Sequence, residues 1–278
     1  MLRTRIITAV VLIGVFLGVL FLLPPIGWLS FSTFVAALAA WEWGALIRFG
    51  RWARILLGAT VVLVATGVAT LYPAAVGIAP YSLDPAMALG QWFFYPSAVF
   101  WLLIVPCWMK FRWAIKNSVV GVAVGWIVIL PTWLALVQIR QAGELVLIAI
   151  MAIVWLADIA AYFAGRRFGR HKLAPAISPG KTWEGAVGGT LAVVAYGFLF
   201  VPVLPASLAE SRASLFALLV ALAAISIIGD LFESLLKRQA GLKDSSGILP
   251  GHGGVLDRID SLTSTLPIAA IALHYFSL

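Results

Sequence analysis

The segment 234–260 holds the densest group of residues that could do chemistry. It runs from a basic helix end at Lys237 and Arg238, through a polar turn and a glycine-rich stretch, to Asp257 and Asp260. The two aspartates are spaced i, i+3 and therefore share one face of a helix. Glycines let the backbone approach a ligand closely, with amides free to meet phosphate oxygens. Basic groups, free amides and a carboxylate pair are typical of a phosphoryl-transfer site, whereas a solvated connector would not explain two carboxylates entering a span.

A second polar segment lies at 178–185 and contains Gly-Lys-Thr. This triplet invites a nucleotide P-loop, but that motif needs a glycine five residues earlier, where this chain has proline, and a preceding strand, which is not predicted. The P-loop interpretation is therefore rejected. Lys181 stays a candidate phosphate ligand, and Ser178 or Thr182 is expected to cap the helix that follows.

Acidic residues inside or next to apolar spans are the next candidates, because charge in a membrane is costly and usually functional. Carboxylates gathered at one depth repel each other unless cations neutralise them, and hard oxygen ligands suit Mg²⁺. The alternative is that they only pair with nearby Arg and Lys, and for Glu42 the two interpretations stay equally open. The set comprises Glu42, Asp158, Glu184, Asp230, Glu233, Asp257 and Asp260.

The three histidines and the single cysteine do not form a zinc site, because they are scattered along the chain. His252 lies between glycines, and this setting favours a phosphate contact over an incidental exposed position. His171 and His274 are interpreted as incidental. No Ser-His-Asp order or nucleophile elbow is found.

The elements that must position these residues are membrane helices. Of the 278 residues, 63% are hydrophobic and 11% charged, and the mean hydropathy is +1.05. An average soluble domain carries about 25% charged residues, so this chain cannot cover a soluble surface with charge. The composition excludes a water-soluble enzyme, an ordinary nucleic-acid binder and a disordered chain, and no nucleic-acid partner is expected.

We predict an all-α polytopic integral membrane protein with about nine transmembrane helices, since each span needs about 20 apolar residues. The stretch 73–90 is expected to be a loop. The first apolar stretch, which follows two arginines, resembles a signal peptide. It is long enough to span a membrane and has no small-x-small cleavage site, so we interpret it as an uncleaved helix. The predicted spans are 6–23, 27–47, 55–72, 92–109, 118–138, 145–165, 184–204, 214–233 and 261–277.

Basic residues are concentrated in every second connection between the spans, and this distribution predicts the orientation of the protein in the membrane. With nine spans, 17 of the 19 Lys and Arg fall on one side, and only Arg140 and Arg212 fall on the other. Because cytoplasmic loops collect basic residues, we predict a cytoplasmic N-terminus and a C-terminus outside. The net charge of +8 also suits an anionic substrate such as a nucleotide or a phospholipid headgroup.

Chemistry-bearing residues are uneven along the length. Residues 1–143 are mostly plain apolar helix, predicted to be a scaffold with dimer contacts. Residues 144–278 are predicted to be the catalytic region, with cytoplasmic loops at 166–183 and 234–260.

The 234–260 segment resembles the signature of bacterial phosphatidate cytidylyltransferases, the CDP-diacylglycerol synthases. The shared pattern is Ser-x-apolar-Lys-Arg, then Lys-Asp, then Pro-x-His-Gly-Gly, then Asp-Arg-apolar-Asp. The Glu42-Trp43 pair, Asp158 and the Ser-Pro-x-Lys-Thr-x-Glu-Gly segment look similar too. One departure is Gly180, where that family usually has lysine, which puts in doubt any role of a first lysine at this place.

The resemblance implies transfer of a cytidylyl group from CTP to phosphatidate, giving CDP-diacylglycerol and pyrophosphate. It implies a homodimer in the bacterial inner membrane, dependent on Mg²⁺, with a polar cavity on the cytoplasmic side. The number of Mg²⁺ ions, one or two, and the presence of a monovalent cation such as K⁺ are left open. The catalytic residues expected on this basis are Asp230, Asp257, Asp260 and Lys181. The metal ligands expected are Asp230, Asp257 and Asp260, with Asp158 and Glu184 as weaker members. The substrate-binding residues expected are Lys237, Arg238, Lys243, Asp244, His252, Gly253, Gly254, Arg258, Ser178 and Thr182.

Three other classes fit the sequence less well. A transporter of an anionic solute favours paired broken helices near the midplane rather than a glycine-rich loop at one face. A CDP-alcohol phosphotransferase would show its own Asp-Gly, Ala-Arg, Gly, Asp and Asp helix pattern, which is not found. A purely structural membrane protein has no reason for the carboxylate cluster.

Overall fold

Long apolar helices make up most of the chain, and the computed structural model describes residues 2–80, 82–199 and 210–276. In chain order the helices are α1 (Leu2–Leu22), α2 (Pro25–Leu46), α3 (Arg51–Leu71), α4 (Leu83–Val99), α5 (Val105–Phe111), α6 (Ser118–Ala142), α7 (Glu144–Phe168), α8 (Trp183–Leu199), α9 (Arg212–Ala240) and α10 (Leu256–Phe276).

Each of the nine predicted spans coincides with a helical segment, α4 and α5 forming one continuous segment over Leu83–Phe111. Within the described ranges, seven helices are long and apolar enough to cross a membrane. The exceptions are α8, with 17 described residues, and α10, which carries the polar residues of the site. A multi-pass membrane protein is therefore confirmed, and nine crossings stay a prediction. Predicted span residues 200–204 and 277 lie outside the described residues.

The stretch 73–90 is not a loop throughout, because α4 begins at Leu83. Asp84 and Pro85 lie in its first turn, where proline is tolerated and an acidic residue interacts favourably with the helix dipole. The prediction was wrong for residues 83–90.

A π-helical turn at Phe100–Ile104 joins α4 to α5, and the N–H of Val105 bonds the carbonyl of Phe100 five residues back. Pro106 explains the irregularity, because proline has no N–H and its ring clashes with the carbonyl four residues earlier.

The all-α class needs one addition, a two-stranded antiparallel hairpin in the predicted loop 166–183. Strand β1 (Lys172–Ala174) pairs with β2 (Ser178–Thr182), with Lys172 opposite Thr182. The Thr182 hydroxyl accepts a bond from Gly185 N at 3.1 Å and so caps α8, as expected for one of the two candidate caps. Since Gly-Lys-Thr forms part of β2, it does not form a phosphate-binding loop.

Small residues bring the helices of the C-terminal half close together. A Cβ added to Gly189 of α8 would lie 2.7 Å from the carbonyl oxygen of Ala157 on α7. A Cβ on Gly229 of α9 would lie 2.9 Å from the carbonyl oxygen of Asp260 on α10. Such close backbone contact is typical of membrane helix pairs, and here it places acidic residues of α7, α9 and α10 around one space.

Contacts between connections show which loops share one end of the bundle. Thr8 of α1 donates to the carbonyl of Pro250 at 3.0 Å, and Arg48 donates to that of Gln239 at 2.7 Å. At the other end Arg140 donates to the carbonyl of Leu23 at 2.8 Å. Connections that the sequence predicts on one side of the membrane thus lie at one end of the bundle.

Candidate active site

A cavity of about 580 Å³ lies between α7, α8, α9 and α10, beside the hairpin. Much of its wall is small and apolar, contributed by alanines and glycines of α7 and α8. Ser178 and Thr182 of the hairpin also line it. The structure thus brings together residues that the sequence placed in three separate segments. The charged residues that line the cavity are Asp158, Arg166, Lys181, Asp230, Lys237, Asp244, Asp257, Arg258 and Asp260.

Lys181 of the hairpin reaches across this cavity to α9. Its Nζ lies 2.5 Å from Asp230 Oδ2, and about a quarter of each side chain is exposed. The pair neutralises one carboxylate of the cluster with a cation from another element, as the ion-pair alternative expects. Both partners still line the cavity and are accessible to a ligand.

A largely buried lysine lies between two further carboxylates. Lys237 Nζ lies 2.6 Å from Glu233 Oε2, one helical turn earlier on α9, and 2.6 Å from Asp257 Oδ1 on α10. Burying one charge without a partner is strongly destabilising, so the three groups depend on one another. An ammonium has three donors, which leaves one for a substrate oxygen.

Asp257 anchors the glycine-rich loop to the start of α10. Its Oδ2 accepts bonds at 2.8 Å from Ser245 N, from Ser245 Oγ and from Gly254 N. With Lys237 on Oδ1, both carboxylate oxygens are engaged by the chain itself. A metal ion bound to Asp257 would therefore use the remaining lone pair of Oδ1, beside the Lys237 ammonium, or displace one of these donors.

Asp158 and Asp260 line the same cavity as Asp230. Ser261 N donates to Asp260 Oδ1 at 2.7 Å. Among the residues that the structure describes, no three of His, Cys, Asp or Glu converge on a preassembled metal site. Mg²⁺ commonly takes only one or two protein carboxylates and completes its shell with water and substrate phosphates. Asp158, Asp230 and Asp260 thus fit Mg²⁺ by the chemistry of their oxygens.

Glu184 lies apart from this group and does not line the cavity. His171 N donates to both of its oxygens at 3.2 Å, and His171 Nδ1 lies 2.6 Å from Oε1. The contacts make Glu184 a partner of the hairpin's first residues. His171, interpreted from the sequence as incidental, is that partner.

A second cavity, of about 590 Å³, lies over the glycine-rich loop. Gly251 and Gly253 have φ of +78° and +80°, and Leu249 N bonds the carbonyl of Gly253 at 2.8 Å, so the loop folds back on itself. Such left-handed positions favour glycine. Asp244 and Arg258 line both cavities. The charged and histidine side chains around the second cavity are Arg5, Lys243, Asp244, His252 and Arg258.

Glu42 of α2 is fully buried and contacts the same loop. Its Oε1 accepts from Ser246 Oγ at 2.6 Å and Val255 N at 3.0 Å. Its Oε2 accepts from Leu256 N at 2.6 Å and Ser245 Oγ at 3.2 Å. Within the described chain no Lys or Arg lies within ion-pair distance of Glu42, so the structure decides against simple ion pairing here.

Some residues of the site were not among those predicted. Arg5 and Arg166 line the cavities, and sequence reasoning had used them only as topology signals. Ser245, which bonds Asp257, carried no signal beyond lying in a polar turn. Conversely Arg238, predicted to bind substrate, is exposed and lines neither cavity.

The sequence is similar to known proteins over nearly the whole length of the chain. The profile of the cytidylyltransferase family matches residues 3–276. A phosphatidate cytidylyltransferase of Pseudomonas aeruginosa is 40% identical, covering 98% of this chain and 97% of that protein. Phosphatidate cytidylyltransferases of Haemophilus influenzae and Brucella suis are 34% and 37% identical, over 96% and 99% of this chain and 96% and 92% of their own lengths.

Proposed function

Because the chain belongs to the cytidylyltransferase family, we propose that it transfers a cytidylyl group from CTP to phosphatidate. An oxygen of the lipid phosphate forms a bond to the α-phosphorus of CTP while the bond from that phosphorus to the bridging oxygen breaks. The products are CDP-diacylglycerol and pyrophosphate. The lipid phosphate is already a nucleophile, so the reaction needs no general base.

The observation that carries this proposal is that Asp244 and Arg258 line both cavities. The first cavity has a largely alanine and glycine wall on α7 and α8, which suits a lipid, and charged groups at one part of its lining. The second is surrounded by Arg5, Lys243 and His252 and suits the phosphates of a nucleotide. We assign the lipid phosphate to the first, CTP to the second and the reaction to their shared border.

The charged residues have distinct tasks in this arrangement. Lys181 and Arg258 screen the repulsion between two anionic substrates and align the attack, since positioning and electrostatic stabilisation account for most of catalysis at phosphorus. Lys243 and His252 hold the leaving pyrophosphate. Lys237 and Asp257 keep the loop in place. Mg²⁺ held by Asp158, Asp230 or Asp260 together with substrate phosphates would neutralise part of the charge of those phosphates.

The proposal extends to location and assembly. The loops that form the site carry nine of the basic residues, which supports a cytoplasmic position under the positive-inside rule. The bacterial relatives support the inner membrane as the location. A homodimer with contacts in residues 1–143 completes the proposal, and mass determination of the purified protein in detergent tests it.

The direct test is pyrophosphate release from CTP by purified protein, with and without phosphatidate and Mg²⁺. We expect release only when both are present, together with a cytidylylated lipid product. A rate that neither phosphatidate nor metal changes would overturn the proposal. A variant with Lys172→Gln, on the exposed hairpin and outside both cavities, serves as the matched control preparation.

A further inference from the structure

We propose that Glu42 is a positioning residue for the cytidylyl transfer, fixing the loop 244–255 and the first turn of α10 from a helix more than 200 residues earlier. This inference rests on the proposed function, because it concerns the same site. It assigns to the N-terminal half of the chain a part in the reaction beyond that of a scaffold.

The backbone donors that Glu42 engages belong to the start of α10. The N–H groups of Val255 and Leu256 are among the first of that helix, which have no partner within the helix itself. The carboxylate accepts both, at 3.0 Å on Oε1 and 2.6 Å on Oε2. A negative charge at this end also interacts favourably with the helix dipole. Glu42 thus caps α10 from another helix.

The side-chain donors connect Glu42 to Asp257. Ser245 Oγ lies 3.2 Å from Glu42 Oε2 and 2.8 Å from Asp257 Oδ2. A hydroxyl has one proton, so it donates to only one of the two carboxylates at a time. Ser246 Oγ donates to Glu42 Oε1 at 2.6 Å. The loop is thereby held at Ser245 and Ser246 and again at its junction with α10.

No cation forms an ion pair with Glu42 among the described residues. Arg54, whose charge interacts with that of Glu42 at longer range, donates to the carbonyl of Trp41 and stacks 3.7 Å from the centre of the Trp41 ring. A Cβ on Gly254 would lie 2.7 Å from Glu42 Cδ, so the loop glycine leaves the space that the carboxylate occupies. Burying a carboxylate is expensive unless it is hydrogen-bonded, and here the loop and the first residue of α10 supply the donors.

Displacing the loop would move Asp257 and Arg258, and a shift of about 1 Å in a reacting geometry reduces a rate about 100-fold. We therefore expect Glu42→Gln to lower kcat for pyrophosphate release about 100-fold. The amide N–H₂ group of glutamine would face the N–H and O–H donors that the carboxylate accepts in the wild-type protein. Glu42→Asp keeps the charge but withdraws the carboxylate by one methylene. Positioning predicts that it lowers kcat nearly as much, whereas a purely electrostatic role predicts near wild-type kcat.

Trp43→Phe is the matched control. It removes the buried bond from Trp43 Nε1 to Gly121 O at 2.9 Å, on the same helix, without touching the loop. We expect a lower melting midpoint in detergent and, per folded molecule, a kcat within about twofold of wild type. If Trp43→Phe and Glu42→Gln lower kcat equally, the effect comes from α2 packing and the proposal is wrong.

A second variant keeps the test decisive if Glu42→Gln does not fold. Ser245→Ala with Ser246→Ala removes the hydroxyl donors and retains the backbone caps, and we expect a kcat about 10-fold lower, at the low end for hydrogen bonds to a charged group. Wild-type kcat in this variant, or in folded Glu42→Gln, overturns the role of Glu42. An inactive wild-type protein instead overturns the proposed function, so the two failures are distinct.

Discussion

Lys181 Nζ on the hairpin lies 2.5 Å from Asp230 Oδ2 on α9. The sequence suggested separate tasks for them, a phosphate ligand and a metal ligand, and in the fold they are partners. Each therefore sets the charge that the other presents to a substrate. In the proposed reaction, an anion that binds Lys181 would free Asp230 to bind a cation, so the pair would exchange partners as substrates enter.

Lys181→Gln should lower pyrophosphate release about 10- to 100-fold, because a charge-assisted hydrogen bond contributes about 1.5–3 kcal/mol. The loss should be similar in Asp230→Asn, and the double variant should lose much less than the product of the two. Lys172→Gln, whose lysine donates to Pro179 O at 2.7 Å on the same hairpin, should keep wild-type activity. Additive effects of the two site substitutions would show that the pair does not act as a unit.

Asp257→Asn should destabilise the protein as well as inactivate it. The substitution removes one of two partners of the largely buried Lys237 and places an amide donor among the donors of the loop. Breaking a buried ion pair costs about 3–5 kcal/mol, so the melting midpoint in detergent should fall clearly. Glu144→Gln, which affects only the ion pair with Arg140 at the other end of the bundle, should leave the midpoint nearly unchanged. Equal midpoints for Asp257→Asn and wild type would contradict the anchoring role.

Removal of divalent metal with EDTA should abolish activity, and added Mg²⁺ should restore it. Asp260→Asn should lower the rate about 10- to 100-fold and weaken binding of Mn²⁺, measured directly by electron paramagnetic resonance. Asp84→Asn, an exposed carboxylate in the first turn of α4, should change neither. Undiminished activity and Mn²⁺ binding in Asp260→Asn would remove that residue from the metal ligands.

Arg5→Gln should raise the KM for CTP about 3- to 10-fold with little change in kcat, because Arg5 borders the second cavity away from the border shared with the first. The increase should shrink at high ionic strength, where exposed charges are screened. Arg3→Gln is the control, since Arg3 lies two residues earlier and does not line the cavity. A higher KM for phosphatidate instead of CTP would reverse the assignment of the two cavities.

Orientation can be tested with the single native cysteine removed by Cys107→Ser. In intact cells, a membrane-impermeant maleimide should label Ala142→Cys and should label Lys172→Cys only after permeabilisation. Both positions are exposed and lie on connections at opposite ends of the bundle. The reverse labelling pattern would place the site outside.

Hydropathy predicted every long helical segment of the described residues, because a membrane span is a long signal that single residues barely change. It failed at 83–90, where Asp84 and nearby prolines resemble a loop although an acidic residue and a proline also suit a first helical turn. The hairpin at 172–182 was missed too, since strands of three and five residues carry little periodicity.

The site was predicted where its residues are neighbours in sequence, as in the 234–260 segment. The sequence could not show that Lys181 pairs with Asp230, or that Asp257 is occupied by Ser245 and Gly254. Nor could it show the partners of Glu42, because a buried carboxylate signals that partners exist without identifying them. Those contacts depend on how helices far apart in sequence meet.

The cap that Glu42 provides has a consequence for how the protein is made. Leu256 follows Glu42 by 214 residues, which a ribosome takes roughly 10–40 s to add at about 5–20 residues per second. During that interval α2 lies in the membrane before the backbone groups that donate to the Glu42 carboxylate have been synthesised. The tenth helix completes a contact whose acceptor lies on the second. A nascent chain that has not yet inserted α10 therefore holds no assembled loop.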